Sequence, residues 1–287
     1  MKAFPIPVVA LGPGTQSEDE TLDYLPMPKD MDTYRAPELP EPEEVVGREG
    51  ARKVFAQVLD ALAQAADGQA LGQISLAGLA GVDLQLVNQV LGEGEASAIV
   101  RAESSPLEVR VQESIFAGVW RLVTFNGGER VDDVIEVGPV PTLLRVTADE
   151  DAERVYRPWN GPLPPNVQNA PLLVDEVRDQ VARWQPGQAA HVVNLTLLPV
   201  TPEDIAYLDH QLGTGRVLLL SRGYGNCRIS NTRLPNCWRV VYYNSMDAVI
   251  LNTVEVVDMP EVAMAAPEDL RDSHARLRDV MGYLELA

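Results

Sequence analysis

Apolar residues recur along this chain at two periods, and the periods alternate in an order that occurs twice. From Val46 to Ala66 they fall at helical spacing, with Val54, Phe55, Val58, Leu59 and Leu62 forming one stripe; Leu172 to Trp184 repeats the pattern with Val174, Val177 and Val181. Each helix leads into a short stretch that reads as a strand, Gln73 to Leu79 and His191 to Leu198, the second placing Val193, Leu195 and Leu197 inward at period two. A second helix follows. In the later copy its start is explicit: Thr201 caps, Pro202 fits the first turn, and Glu203 and Asp204 sit at the positive end of the dipole. Gly92 and Gly213 end the two helices, because a residue just past a helix often adopts a left-handed conformation open to Gly.

Four short β-rich segments then come in succession in each half. They are Ser97 to Arg101, Leu107 to Gln112, Val119 to Phe125 and Asp133 to Val137, and later Val217 to Ser221, Cys227 to Ser230, Trp238 to Tyr243 and Val249 to Val256. Consecutive short strands predict an antiparallel meander. The last element is a helix from about Pro267 to Leu284, with Leu270, His274, Leu277, Val280, Met281 and Leu284 on or beside one stripe.

The halves also match residue by residue. Leu91-Gly92-Glu93-Gly94-Glu95 returns as Leu212-Gly213-Thr214-Gly215-Arg216 at an offset of 121 (212 − 91), and Asp83 meets Asp204 at the same offset. Trp120-Arg121 meets Trp238-Arg239 at 118 (238 − 120), and Glu136 and Pro141 meet Glu255 and Pro260 at 119 (255 − 136). Drifts of two or three residues are what loop-length changes produce. The expected fold is therefore α+β and internally duplicated, two similar units of helix, strand, helix and antiparallel meander. The expected organisation is an acidic, Pro-rich N-terminal arm over 1–45, a first unit over 46–147, a Pro-rich linker over 148–169, and a second unit with the C-terminal helix over 170–287.

Composition narrows the function. With 287 residues, 46 % of them hydrophobic, the chain can bury a core without staples. A net charge of −19 argues against nucleic acid and anionic membrane surfaces, whose affinity is drawn from clustered Lys and Arg. Pro5, Pro7, Gly12 and Pro13 interrupt the only apolar stretch near the N-terminus, so no signal peptide is expected there. No run approaches the roughly 20 apolar residues of a spanning helix, and two cysteines suit a reducing compartment; a cytoplasmic protein without membrane insertion is expected.

Candidate chemistry is sparse. Gly92-Glu93-Gly94-Glu95 follows a helix C-terminus, where carbonyls point outward, and its own carboxylates repel anions, so it is not read as a phosphate loop. His191, His210 and His274 are scattered, and no serine-nucleophile elbow or metalloprotease histidine motif occurs, so neither a catalytic residue nor a metal site nor a cofactor is expected. Cys227 and Cys237 flank neighbouring strands; the ordinary reading is two small buried hydrophobes, and the alternative is a redox or metal-handling pair. A third reading is an enzyme with its site in a cleft between the units. Trp120 and Trp238 are read as core residues whose neighbours Arg121 and Arg239 reach outward; Tyr224, in Gly223-Tyr224-Gly225, is read either as a turn residue exposed for contact or as part of a packed turn.

Several stretches, in one order and nearly end to end, resemble the HupH/HyaF hydrogenase expression and formation proteins. They are Leu11-Gly12-Pro13-Gly14-Thr15-Gln16, Leu91-Gly92-Glu93-Gly94-Glu95, the segment Gln112-Glu113-Ser114-Ile115-Phe116-Ala117-Gly118-Val119-Trp120-Arg121, Gly223-Tyr224-Gly225, and Pro260-Glu261-Val262-Ala263-Met264-Ala265-Ala266-Pro267-Glu268-Asp269-Leu270. The resemblance implies a non-enzymatic scaffold or chaperone in the maturation of the iron–sulfur small subunit of an uptake nickel–iron hydrogenase. Its partner would be the small-subunit precursor, with other maturation proteins. The residues assigned to partner binding are Gln112, Glu113, Arg121, Tyr224 and Arg239.

Overall fold

The computed structural model describes residues 47–68, 72–153, 159–223 and 225–286; the arm expected over 1–45 lies outside them, as does Tyr224. The chain divides into two compact units. The first holds the described residues of Thr33–Leu144 with those of Glu261–Ala287, and the second holds Arg145–Pro260.

In the first unit the stripe predicted near the start forms helix α1 (Glu49–Ala66), followed by strand β1 (Ile74–Ser75), helix α2 (Gly81–Leu91) and strands β2 (Ala96–Arg101), β3 (Leu107–Glu113), β4 (Val119–Asn126) and β5 (Glu129–Val137). The strands pair antiparallel in the order β1-β5-β4-β3-β2. Phe55, Leu62, Val87, Val119, Ile135 and Val137 pack into one core between the helices and one sheet face. Trp120, Leu122, Val111 and Val134 point to the opposite face and are buried as well. The β4–β5 turn is Gly127-Gly128, both at positive φ (59° and 88°), the backbone that a two-residue hairpin turn requires and that Gly adopts without strain.

Helix α3 (Thr142–Asp151) was not expected. Its buried side chains are Leu144, Thr147 and Asp151, two of them polar, so it carries no apolar stripe. The buried Glu136 carboxylate accepts from the Thr142 N–H at its start (2.6 Å).

The second unit runs in the same order: helix α4 (Ala170–Arg183), strand β6 (His191–Asn194), helix α5 (Pro202–Leu212), then β7 (Val217–Ser221), β8 (Asn226–Asn231), β9 (Cys237–Tyr243) and β10 (Val249–Val256). The antiparallel order is β7-β8-β9-β10-β6. Val174, Val177, Leu208, Leu212, Val254 and Val256 form its core. The predicted Thr201 cap is present and is a full capping box: Thr201 Oγ1 accepts from Asp204 N–H (3.0 Å) and the Asp204 carboxylate accepts from Thr201 N–H (3.1 Å).

Three expectations need correction. The strand expected over 73–79 is only Ile74–Ser75, because Ala77 N–H turns back to Ser75 Oγ and Leu79 N–H to the Leu76 carbonyl. Strand β6 stops at Asn194, whose side chain and carbonyl capture the Thr196 and Leu197 N–H groups; Leu197, expected inward, is 80 % exposed. The C-terminal helix α6 (Pro267–Leu286) does not close the second unit: Leu270 and Leu277 join the core built on α1 in the first. Its apolar stripe announces that it packs, and nothing in a stripe says against which partner.

Candidate functional site

Two of the residues assigned to partner binding, Gln112 and Glu113, stand where the loop after the second helix of the first unit meets a β-hairpin turn; Arg121 and Arg239 make contacts of their own within separate units, and Tyr224 lies outside the described residues. In the first unit, Gly94 N–H donates to the Glu113 carbonyl (2.7 Å) and Ile115 N–H to the Leu91 carbonyl (2.9 Å). Ser114 closes the turn, its N–H donating to the Val119 carbonyl (2.8 Å) and its hydroxyl accepting from Phe116 N–H (3.1 Å). A Cβ on Gly94 would overlap the Ser114 carbonyl, so the close approach demands glycine. The Gln112 amide clamps the junction, donating to the carbonyls of Gly94 (3.2 Å), Ala96 (3.2 Å) and Glu113 (3.0 Å). Glu113 accepts from Gly118 N–H (3.1 Å). Burial pushes its carboxyl up to about 7, with Glu95 and Asp269 adding to the rise.

The second unit builds the same junction. Gly215 N–H donates to the Asn231 carbonyl (2.9 Å), Arg233 N–H to the Leu212 carbonyl (2.9 Å) and Thr232 N–H to the Cys237 carbonyl (3.0 Å). Here the polar centre is the buried Asp151 at the end of α3, which accepts from Arg216 N–H (2.6 Å), Arg216 Nε (2.5 Å) and Asn231 Nδ2 (2.9 Å). Burial alone would raise its pKa, but these donors outweigh burial and hold the carboxyl below the usual range. Sequence reading missed this network, whose members lie 65 and 80 residues from Asp151. Asp151→Ala is expected to cost about 3 kcal/mol, since three donors (Arg216 N–H, Arg216 Nε and Asn231 Nδ2) lose a buried charged acceptor, while Glu150 still pairs with the Arg216 guanidinium (2.8 Å); an unchanged urea midpoint would contradict this.

Both strand arginines are committed inside their own units. Arg121 forks onto Asp133 (2.9 and 2.7 Å) on β5 and also donates to Asn88 on α2. Arg239 bonds Asp209 on α5 (3.0 Å) and donates to Asn252 on β10. These partners sit at the repeat offsets, 209 − 88 = 121 and 252 − 133 = 119, with the carboxylate and the amide exchanged. The arginines expected to reach outward instead tie a helix to the last long strand, leaving part of each guanidinium on the surface.

Asp83 and Asp204 share a second duty. Asp83 Oδ1 accepts from Ala51 N–H (3.1 Å), and Asp204 Oδ1 accepts from the N–H groups of Gln168 (2.8 Å), Asn169 (3.0 Å) and Ala170 (2.9 Å). Each thus satisfies the orphan donors at the start of its unit's first helix. Their match at one offset was the signal available in the sequence.

The two thiols are kept apart. Cys227 stands opposite Tyr242 and Cys237 opposite Val256, so the pair is five residues apart along β9, roughly 16 Å, and on opposite sheet faces. That distance excludes both a disulfide and a shared metal ion. Burial pushes each thiol up to about 12, which leaves neither as thiolate near neutral pH. A cavity of about 440 Å³ in the second unit is lined by Asp149, Trp184, Pro186, Gly187, Asn236 and Asp258, none of which belongs to the predicted site. Among the described residues, no helix is long and apolar enough to cross a membrane.

Each unit is a helix-backed antiparallel meander closed by its own glycine-dependent loop junction, and this packing defines the class of protein. The model of the HupH hydrogenase expression protein family, C-terminal conserved region, matches the chain over residues 49–157 and again over 167–284. The chain is 52 % identical over 287 residues to hydrogenase expression/formation protein HoxQ of Cupriavidus necator, covering 99 % of each. It is 46 % identical over 285 residues to hydrogenase expression/formation protein HupH of Rhodobacter capsulatus, covering 97 % of each. Against hydrogenase-1 operon protein HyaF of Escherichia coli the identity is 30 % over 281 residues, covering 96 % of this chain and 95 % of the relative. The chain belongs to the HupH family of hydrogenase expression/formation proteins.

Proposed function

We propose that this protein is a cytoplasmic, non-enzymatic scaffold or chaperone that binds the precursor of the iron–sulfur small subunit of an uptake nickel–iron hydrogenase and holds it until its clusters are in place. The observation that carries this reading is near end-to-end similarity to proteins named for hydrogenase expression and formation. Binding of this kind requires a surface with a few well-packed anchors. The proposed contacts are the outward side of the Gln112–Arg121 segment, together with Tyr224 and Arg239. The rigid loop junction behind Gln112 would hold that surface in one shape before the partner arrives, which limits the ordering cost of association. Under the same reading the two units descend from one duplicated segment, supported by their shared element order and by a family model that matches twice.

An acidic surface meeting a basic precursor segment would be steered electrostatically, so association is expected to slow as salt rises and the screening length contracts toward about 8 Å. Stopped-flow rates that do not change with salt would contradict that steering. The genetic test is deletion of the gene. Hydrogenase activity is expected to fall and unprocessed small subunit to accumulate, more in air than without oxygen; normal processing and activity in air would contradict the proposed role.

A further inference from the structure

Strand β6 stands at the end of the second unit's sheet, and its outer edge is open. Leu195 N–H donates to the Asn252 carbonyl (2.9 Å), and Val193 and His191 stand opposite Val254 and Val256, so the odd positions bond inward to β10. The main-chain groups of Val192 and Asn194 therefore point away from β10. The Asn194 carbonyl accepts from Leu197 N–H (3.3 Å), which leaves the Val192 N–H and carbonyl and the Asn194 N–H directed out from the edge. The first half of helix α4 lies beside this edge and is pinned to it twice: Asn169 Nδ2 donates to the Pro199 carbonyl (2.7 Å), and Glu176 meets the His191 ring nitrogen (3.0 Å). Between these contacts stands Leu172, 72 % exposed, on the same helical stripe as Glu176. On the other sheet face the edge carries Val192, 49 % exposed. The first unit repeats none of this. Ala51 and Ala170, whose N–H groups bond Asp83 and Asp204, set the offset at 119 (170 − 51), and there Leu172, Glu176 and Val192 meet Lys53, Gln57 and Gln73. Strand β1 is also only two residues long, so the architecture itself does not require an open apolar edge.

We infer that β6 is a docking edge for an extended segment of a partner protein, which adds as one more strand and presents, on its helix-facing side, an apolar residue to Leu172 and a basic residue two positions away to Glu176. The main chain of the added strand pairs with that of Val192 and Asn194. Leu172 and Glu176 are about 6 Å apart along their helix, and same-face residues of a strand repeat at about 6.7 Å, so one alternate pair of side chains reaches both. Asp175, exposed beside Glu176, adds to the preference for a cation. A second copy of this chain fits the edge poorly: at a net charge of −19 two copies repel, and β6 itself, His191 to Asn194, offers neither Lys nor Arg.

Fluorescence anisotropy of a labelled synthetic peptide titrated with the full chain tests this. The probe alternates threonine with valine, leucine, lysine and valine, which sets leucine and lysine two positions apart on one face; a control peptide carries glutamate in place of lysine. Wild type is expected to bind the probe at least about tenfold more tightly than the control. Val192→Pro removes an outward N–H without touching a bond to β10, a change an edge strand tolerates, and is expected to weaken the probe at least about tenfold. Leu172→Lys, which sets the first unit's residue at the exposed helix position, is expected to weaken it by a similar factor with the urea midpoint unchanged. No binding by wild type, equal binding of probe and control, or unchanged binding in Val192→Pro overturns the inference. Should Val192→Pro fail to fold, unchanged binding in Leu172→Lys overturns it. A wild-type dimer in sedimentation equilibrium that either substitution dissociates would assign the edge to a second copy and overturn it as well.

Discussion

Trp238→Ala is expected to lower stability by about 3–5 kcal/mol, and Trp120→Ala by a similar amount, the range for truncating a large buried aromatic. Each residue is 1 % exposed. The Trp120 indole N–H donates to the Gly138 carbonyl (3.0 Å), and that of Trp238 to the carbonyls of Val257 and Asp258 (3.2 Å each). Truncation therefore leaves a cavity and also strands carbonyls at the exit of the last long strand. Urea unfolding followed by circular dichroism gives the comparison. A midpoint unchanged by either substitution would contradict the core role of these residues.

The second large effect is expected at Asp204. Its carboxylate accepts from four backbone N–H groups, those of Gln168, Asn169, Ala170 and Thr201, and is itself 1 % exposed. Asp204→Ala removes a helix cap and a helix-to-helix tie together, and the expected cost is about 3–5 kcal/mol, since several buried donors lose a charged acceptor at once. The pH dependence has a definite sign. Burial alone would raise this carboxyl, but the backbone donors outweigh it and hold the folded-state pKa below the usual range. The stabilisation is thus present above the unfolded value of about 3.9 and is lost as pH falls through the folded value. The wild-type chain should lose stability more steeply than Asp204→Ala below about pH 4. Parallel acid-unfolding curves would show that the carboxylate is not the tie it is taken to be.

Much of the fold was legible because its determinants are local. Stripes such as Val54, Phe55, Val58 and Leu62 mark a helix by spacing alone, and Thr201-Pro202-Glu203-Asp204 names its own helix start. The repeat offsets mark the Gly92 and Gly213 loops and both tryptophans in the sequence itself. What escaped was non-local. Helix α3 buries Thr147 and Asp151 rather than an apolar stripe, and the destination of α6 depends on surfaces that no window of sequence contains. The arginines were misread for a related reason. Asn88 and Asp133 exchange identities with Asp209 and Asn252, so a search for identical residues passes over a conserved arrangement.

The candidate surface shows the same division. The segment from Gln112 to Arg121 stood out in the sequence, but the role of each side chain within it depended on distant partners: Gln112 on the Gly94 loop, Glu113 beside Asp269, Arg121 on Asn88. Side-chain identity marked the place, and only packing showed which groups hold the junction together.

The proposed role is tested most directly by affinity purification of the tagged full-length protein from its native host grown in air, with the bound proteins identified by mass. The small-subunit precursor of the hydrogenase is expected in stoichiometric amount, and it should be lost when exposed positions around the Gln112–Arg121 segment are substituted in a chain whose unfolding midpoint is unchanged. Recovery of the protein free of that precursor, from cells in which the precursor is present, would contradict the account.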